Sequence, residues 1–141
     1  MKYWLFKSEP DVFSWDDMAN KGRPEEWHSV RGYAARNNMM AMKLGDQGFF
    51  YHSVKGKSVM GIVEVVAEAH PDSTAEPNEN GKIVWQCVDV AAVKGLPRPV
   101  SLDEIKAEPS LSKMALLGNP RLSVQPVTEA EWKQICKMGG L

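Results

Sequence analysis

The chain predicts an α+β fold, a strongly curved mixed β-sheet or small barrel surrounded by helices, on three observations. Its middle third carries β-branched and aromatic residues in strand-length runs. Helical patterns with capping residues lie before and after those runs. The regular strand–helix alternation of a doubly wound parallel sheet is missing, which leaves helices packed around one sheet. At 141 residues the chain reads as one domain, 1–141, long enough to bury roughly two-thirds of its unfolded surface.

Residues 3–7 are an aromatic and aliphatic run that ends at the Ser8-Glu9-Pro10 turn, the pattern of a first strand. Ser14-Trp15-Asp16-Asp17 has a capping hydroxyl with an acid three residues on, a helix start, and Gly22-Arg23-Pro24 breaks the chain after it. Residues 31–43 read as a helix. Ala34, Ala35, Met39, Met40, Ala41 and Met42 supply its propensity and apolar surface, with the methionines as core filler. Gly45-Asp46 stops it. Residues 48–53, 58–69 and 82–93 are the central strands; Lys55-Gly56-Lys57 makes a hairpin turn between the first two, and the polar loop 70–81 follows. Leu96-Pro97-Arg98-Pro99 reads as a stiff connector. Ser101-Leu102-Asp103-Glu104 opens a helix with a capping-box pattern, 109–117 holds a short helical turn, and 122–127 adds a strand. Thr128 starts a last helix that presents Trp132, Ile135 and Cys136 on one face.

Hydrophobic residues make 43% and charged residues 25% of the chain, the proportions of a water-soluble globular protein. No segment approaches the roughly 20 apolar residues needed to span a bilayer, and the N-terminus lacks the pattern of a signal peptide. Cys87 and Cys136, one in a patterned strand and one in a patterned helix, read as reduced core residues, so a cytoplasmic location is expected. A net charge of −1 excludes a general nucleic-acid coat protein. Between residues 28 and 60 five basic residues stand against one acid, a local +4. Between 64 and 91 six acids stand against one lysine, a local −5. One region would attract an anion that the other repels.

The functional signal lies in Trp27-His28-Ser29-Val30-Arg31-Gly32-Tyr33-Ala34-Ala35-Arg36-Asn37-Asn38, upstream of the polar cluster Tyr51-His52-Ser53. An aromatic face stacks on a planar ring, arginine pairs with phosphate or a base edge, and an amide donates and accepts at once. That combination fits a nucleobase pocket. Trp27 follows a Gly/Pro break among polar neighbours and is assigned a stacking role over a core role. Tyr33 reads equally well as a pocket wall or as an anchor of its helix. Arg31 near a helix N-terminus opposes the macrodipole, so its placement calls for an anion there. Arg36 is open between a ligand contact and a solvated charge paired with Asp46 or Glu9. One of the poor helix formers Asn37 and Asn38 is expected to make a specific hydrogen bond, to a base or to the sheet backbone.

His52 beside Ser53 does not make a hydrolase, since neighbours on a strand point to opposite faces and no nucleophile-elbow pattern surrounds either. Two distant cysteines and His28, His52 and His70 show no metal-ligand spacing, and no glycine-rich phosphate loop is present. No metal and no cofactor are expected. Glu9 is the one acid–base candidate, and a carboxylate accepting from a cytosine amino group explains it equally well.

Together these stretches resemble the EVE domain family. The match runs through Tyr3-Trp4-Leu5-x-Lys7-Ser8-Glu9-Pro10, Trp27-x-x-Val30-Arg31-x-Tyr33-x-Ala35-Arg36-Asn37 and Gly45-Asp46 before Tyr51-His52-Ser53. It continues through Gly61-Ile62-x-Glu64-Val65, Leu96-Pro97-Arg98-Pro99-Val100 and Arg121-Leu122-Ser123-Val124-Gln125-Pro126-Val127, essentially end to end and in order. The resemblance implies a PUA-like fold, related to ASCH and YTH domains. It also implies a reader of modified bases, such as 5-methylcytosine and its oxidised derivatives, lifted from a duplex into an aromatic and polar pocket. Carried over by residue, it puts Lys7, Ser8 and Glu9 at one wall and Trp27, Val30, Arg31, Tyr33, Arg36 and Asn37 at a second. His52 and Ser53 fall at the floor, and Pro120, Arg121 and Ser123 at the rim. His28, Ser29 and Gly32 depart from the family pattern, and Gly32 leaves more space where an amide is usual.

The expectation is a non-enzymatic module that binds DNA or RNA carrying a modified base, with any catalysis supplied by a partner protein. One alternative is a small-ligand sensor or enzyme acting on a free modified nucleoside or nucleotide. A protein-interaction domain docking through Leu96-Pro97-Arg98-Pro99 ranks last.

Overall fold

The computed structural model describes residues 1–141. Its strands are β1 (Tyr3–Ser8), β2 (Glu25–Glu26), β3 (Gln47–His52), β4 (Ser58–Pro71), β5 (Gln86–Ser101) and β6 (Val124–Val127). Its helices are α1 (Trp15–Asn20), α2 (Tyr33–Ala41), α3 (Leu102–Ala107), α4 (Ala115–Gly118) and α5 (Glu129–Met138), with a 3-10 turn at Pro109–Leu111. The strands form one mixed sheet in the order β2-β5-β4-β3-β1-β6. Four register shifts along the β4–β5 ladder bend it, as bulges do. The end strands β2 and β6 do not pair, so the sheet is curved but open; the barrel alternative is not realised. No helix is long and apolar enough to cross a membrane.

Strand geometry divides the core. Successive side chains point to opposite faces, so Trp4 and Phe6 of β1 join one apolar cluster while Leu5 joins the other. In β3, Phe50 goes with the first cluster and Phe49 and Tyr51 with the second. The first is closed by α1, α2 and Trp27, the second by α3, the 3-10 turn and α5, where Trp132 stacks on Phe49 with ring centroids 3.9 Å apart. The methionines divide as well: Met39 and Met42 are buried, but Met40 points to solvent and is not core filler.

β1 and β3 are the only parallel neighbours, and residues 9–46 cross over between them, carrying α1, β2 and α2. That crossover positions the site. Its first helix is capped as the sequence predicts, with Ser14 and Asp17 forming a capping box, and the same motif recurs at Ser101/Glu104 and Thr128/Glu131. α2 begins at Tyr33, with Gly32 as its N-cap, so Arg31 lies before the helix and not within it. Leu96-Pro97-Arg98-Pro99 is no connector: β5 runs through it to Ser101.

Candidate functional site

The carboxyl ends of β1 and β3 lie side by side, with Ser8 opposite His52. Beyond them the turn after β1 and the loop from β2 to α2 enclose an open cleft of about 580 Å³. That size lies within the range of small-molecule sites, roughly 300–1,000 Å³. Lys7, Ser8 and Glu9 line it together with Trp27, Val30 and Arg31, residues that the family resemblance assigns to its two walls. The Ser8 hydroxyl donates to the Phe13 carbonyl and closes the turn that brings the Phe13 ring to the cleft. The Lys7 ammonium donates to the Pro120 carbonyl; burial, and then the nearby Lys57, lower its pKa. Glu9 is exposed and enters none of the ion pairs.

Trp27 is only 8% exposed and packs edge-to-face against Phe6 and Phe50, with centroids 5.2 and 5.7 Å away. The assignment of stacking over core is therefore corrected. The indole is a core residue whose remaining surface forms cleft wall, because aromatic partners from β1 and β3 reach it that its own segment does not contain.

The anion that Arg31 calls for is internal. Asp72, its side chain 1% exposed, accepts from the Arg31 guanidinium at 3.1 Å and from the Ser29 and Thr74 backbone N–H groups at 2.7 Å each. Burial pushes the Asp72 carboxyl up, but the Thr74 hydroxyl and these N–H donors outweigh it and hold the pKa at about 2. The same bonds pin Ser29 at φ 69°, a left-handed conformation unusual for a residue with a Cβ. The basic and acidic regions of the sequence thus meet in the fold and partly neutralise each other.

Several predicted residues stand elsewhere. The His52 ring nitrogen Nε2 accepts the Trp15 backbone N–H at 2.9 Å, and burial lowers its pKa against the pull of Asp16. It anchors α1 and is not the pocket floor. Ser53 donates its N–H to the Ser8 carbonyl and lines a second cleft of about 470 Å³, which shares Lys7, Glu9 and Ser123 with the first and adds Lys57 and Pro120. Arg121 is exposed and lines neither. Tyr33, Arg36 and Asn37 lie outside both clefts. Tyr33 packs against Trp85, and Arg36 donates to the Asn37 side chain and the Val84 carbonyl rather than to Asp46 or Glu9. Asp46 is occupied by the Lys2 and Lys43 backbone and the Trp4 indole. Asn38 makes the expected bond to the sheet, donating to the Val124 carbonyl at 2.7 Å.

The sequence reading missed Phe13, Glu25, Glu26 and Asp72. Only the last left a local trace, the Asp72-Ser73-Thr74 turn chemistry of an acid bonding to N–H and hydroxyl groups just ahead of it. The fold also brings one ligand atom each of Glu26, His70 and Cys87 within 4.8 Å of one another, which spacing did not foretell. Glu26 is held by Ser73 and His70 by Asp89, while burial, then Glu26, Asp72 and Asp89, push the Cys87 thiol up to about 12. The Glu26 carboxylate and the His70 imidazole are thus each engaged by a partner within the chain.

Open sheet, crossover and cleft define a small α+β domain of the PUA-like kind. The chain belongs to the EVE domain family, whose model matches residues 2–138. A crystal structure of an Agrobacterium tumefaciens protein is 56% identical, with a TM-score of 0.93, over 100% of this chain and 94% of that one. Thymocyte nuclear protein 1 of Gallus gallus is 38% identical over 92% of this chain; the chain spans 65% of that relative's length. The crystal structure of the human THYN1 protein in complex with 5-methylcytosine-containing DNA is 32% identical, with a TM-score of 0.88, over 100% of this chain and 99% of that one.

Proposed function

We propose that this chain is a non-enzymatic module that reads a modified base of the 5-methylcytosine class, extruded from a DNA strand into the first cleft. The observation that carries the reading is the lining of that cleft. Phe13 and the free margin of Trp27 offer apolar wall, and the Glu9 carboxylate is free to accept from an exocyclic amine. Lys7 and the Arg31 fork, fixed by Asp72, offer donors. The DNA complex of the human relative supports the choice of ligand. Flipping costs a few kcal/mol, which stacking and edge bonds must return. Any catalysis falls to a partner protein, and two unpaired cysteines fit the reducing cytoplasm.

The test is binding of labelled duplexes and RNA strands carrying cytosine, 5-methylcytosine or 5-hydroxymethylcytosine, to the native chain and to Glu9→Gln. A modified DNA strand should bind tighter than its unmodified twin. Glu9→Gln keeps an acceptor oxygen but loses its charge, so it should lose about 5-fold, the difference between a charged and a neutral acceptor. Equal binding of every strand would overturn the reading. Trp27→Ala is a poor probe, since truncating a buried tryptophan costs roughly 3–5 kcal/mol of stability.

A free modified nucleoside is the second reading, favoured by one observation. The cleft is lined by three carboxylates, Glu9, Glu25 and Glu26, against Lys7 and Arg31, a net −1 that suits an uncharged ligand. Salt separates the two, because a strand shows a steep dependence and a nucleoside a shallow one.

A further inference from the structure

The residues that the fold withholds from the cleft form a surface of their own. Tyr33, 62% exposed, packs against Trp85 with centroids 4.9 Å apart and the rings tilted by 30°. The Arg36 guanidinium lies 5.0 Å from the Tyr33 ring centroid, and that of Arg31 lies 5.6 Å from the Trp85 centroid. The contacts run Arg36–Tyr33–Trp85–Arg31, and Arg31 also lines the cleft, so the strip begins at the cleft rim. We propose that this strip is a phosphate-contacting track for the DNA strand whose base enters the cleft, an inference that rests on the base-reading proposal above.

Three features carry it. A guanidinium has five N–H donors. Arg36 engages three of them, on the Asn37 side chain and the Val84 carbonyl, and Arg31 three, on Val30, Asp72 and Thr74, which leaves two on each. Next, the acceptors that hold Arg36 are neutral and no carboxylate pairs with it, so its charge is uncompensated, whereas that of Arg31 is answered by Asp72. Finally, the cleft lining carries one more carboxylate than cations, which favours a neutral base there over a phosphate, so a strand that delivers a base gains from cations outside it. Rings beneath each guanidinium fix its direction before binding, which lowers the ordering cost. The division of labour is the usual one: base contacts specify and phosphate contacts position.

The test is the salt dependence of binding of a 5-methylcytosine duplex, its unmodified twin and free 5-methylcytidine. The proteins are the native chain, Arg36→Gln, Arg36→Lys and Tyr33→Leu, each checked for a cooperative melt. Arg36→Gln should weaken both duplexes by the same factor and lower the slope of log affinity against log salt by about one. It should leave the preference for the modified strand and the binding of free nucleoside unchanged. Arg36→Lys should restore the slope, and Tyr33→Leu, at an exposed position, should weaken both duplexes alike. Native slope and affinity in both Arg36→Gln and Tyr33→Leu, with the modified-base preference intact, would overturn the track and leave the cleft reading standing. A native chain that binds duplexes without preference, with Arg36→Gln still lowering the slope, would overturn the cleft reading alone. Tighter, steeper binding of RNA than of DNA would overturn the assignment to a DNA strand.

Discussion

Asp72 is almost fully buried, yet it sets the shape of the loop that walls the cleft. Its carboxylate gathers the Ser29 and Thr74 N–H groups, the Thr74 hydroxyl and the Arg31 fork, and so holds Ser29 in a conformation that costs a non-glycine residue about 1–3 kcal/mol. Its pKa falls from 3.8 to about 2 on folding, so between those values the unfolded chain binds the proton and the folded chain does not. The stabilisation is therefore fully present above about pH 4 and is lost as the pH falls through about 2, roughly 2 kcal/mol in all. Urea midpoints between pH 5 and 2 should show that acid limb in the native chain and a shallower one in Asp72→Asn. From sequence, the need for an anion beside Arg31 was legible but its supplier was not, because the partner lies 41 residues away. Trp27 shows the same limit: its polar neighbours suggested a free aromatic, and the rings that bury it come from other strands.

Elements set by local chemistry were the most legible. All three capping boxes form where the hydroxyl-to-acid spacing places them, and β1, β3 and β4 begin and end within two residues of the predicted strands. β5 was misread at both ends: it starts at Gln86 and not at residue 82, whose carbonyl takes the Asn78 N–H of the preceding turn, and its far end was cut short because proline reads as a strand breaker. Its ladder pairs Gly61 with Gly95 and Val59 with Val100, so Pro97 and Pro99 fall where the ladder needs no N–H from them. There Arg98 donates its backbone N–H to the Gly139 carbonyl and its guanidinium to the Met138 carbonyl, capping α5. Two strand glycines have a packing reason: a Cβ on Gly48 would lie 2.4 Å from the Phe6 ring. A Cβ on Gly61 would lie 2.5 Å from the Trp15 ring, where β4 receives α1. Gly61→Ala should cost about 1–3 kcal/mol in urea unfolding, while Gly118→Ala, whose added carbon meets nothing within 4 Å, should be close to neutral.

Over the whole molecule, the fold class and family are readable because short motifs recur in order along the entire chain, and only their joint sequence is specific. Membership of the cleft is readable where β1 and the loop before α2 supply it, at Lys7, Ser8, Glu9, Trp27, Val30 and Arg31. It fails from the first turn of α2, where Tyr33 and Arg36 turn away to meet the chain at Trp85 and Val84, a contact that depends on how α2 docks and not on residue type. The segment charges mislead for a similar reason, since +4 and −5 regions that would steer an anion end by pairing with each other through Arg31 and Asp72. The most direct test uses the five tryptophans as reporters. Trp27 borders the cleft, while Trp132 lies on the opposite face of the sheet against Phe49 and Tyr3. Titrating protein labelled with nitrogen-15 at the indoles with a 5-methylcytosine duplex should shift the Trp27 resonance and leave that of Trp132 in place. A duplex that binds while the Trp27 resonance stays fixed would put the base elsewhere and contradict the cleft as the reading site.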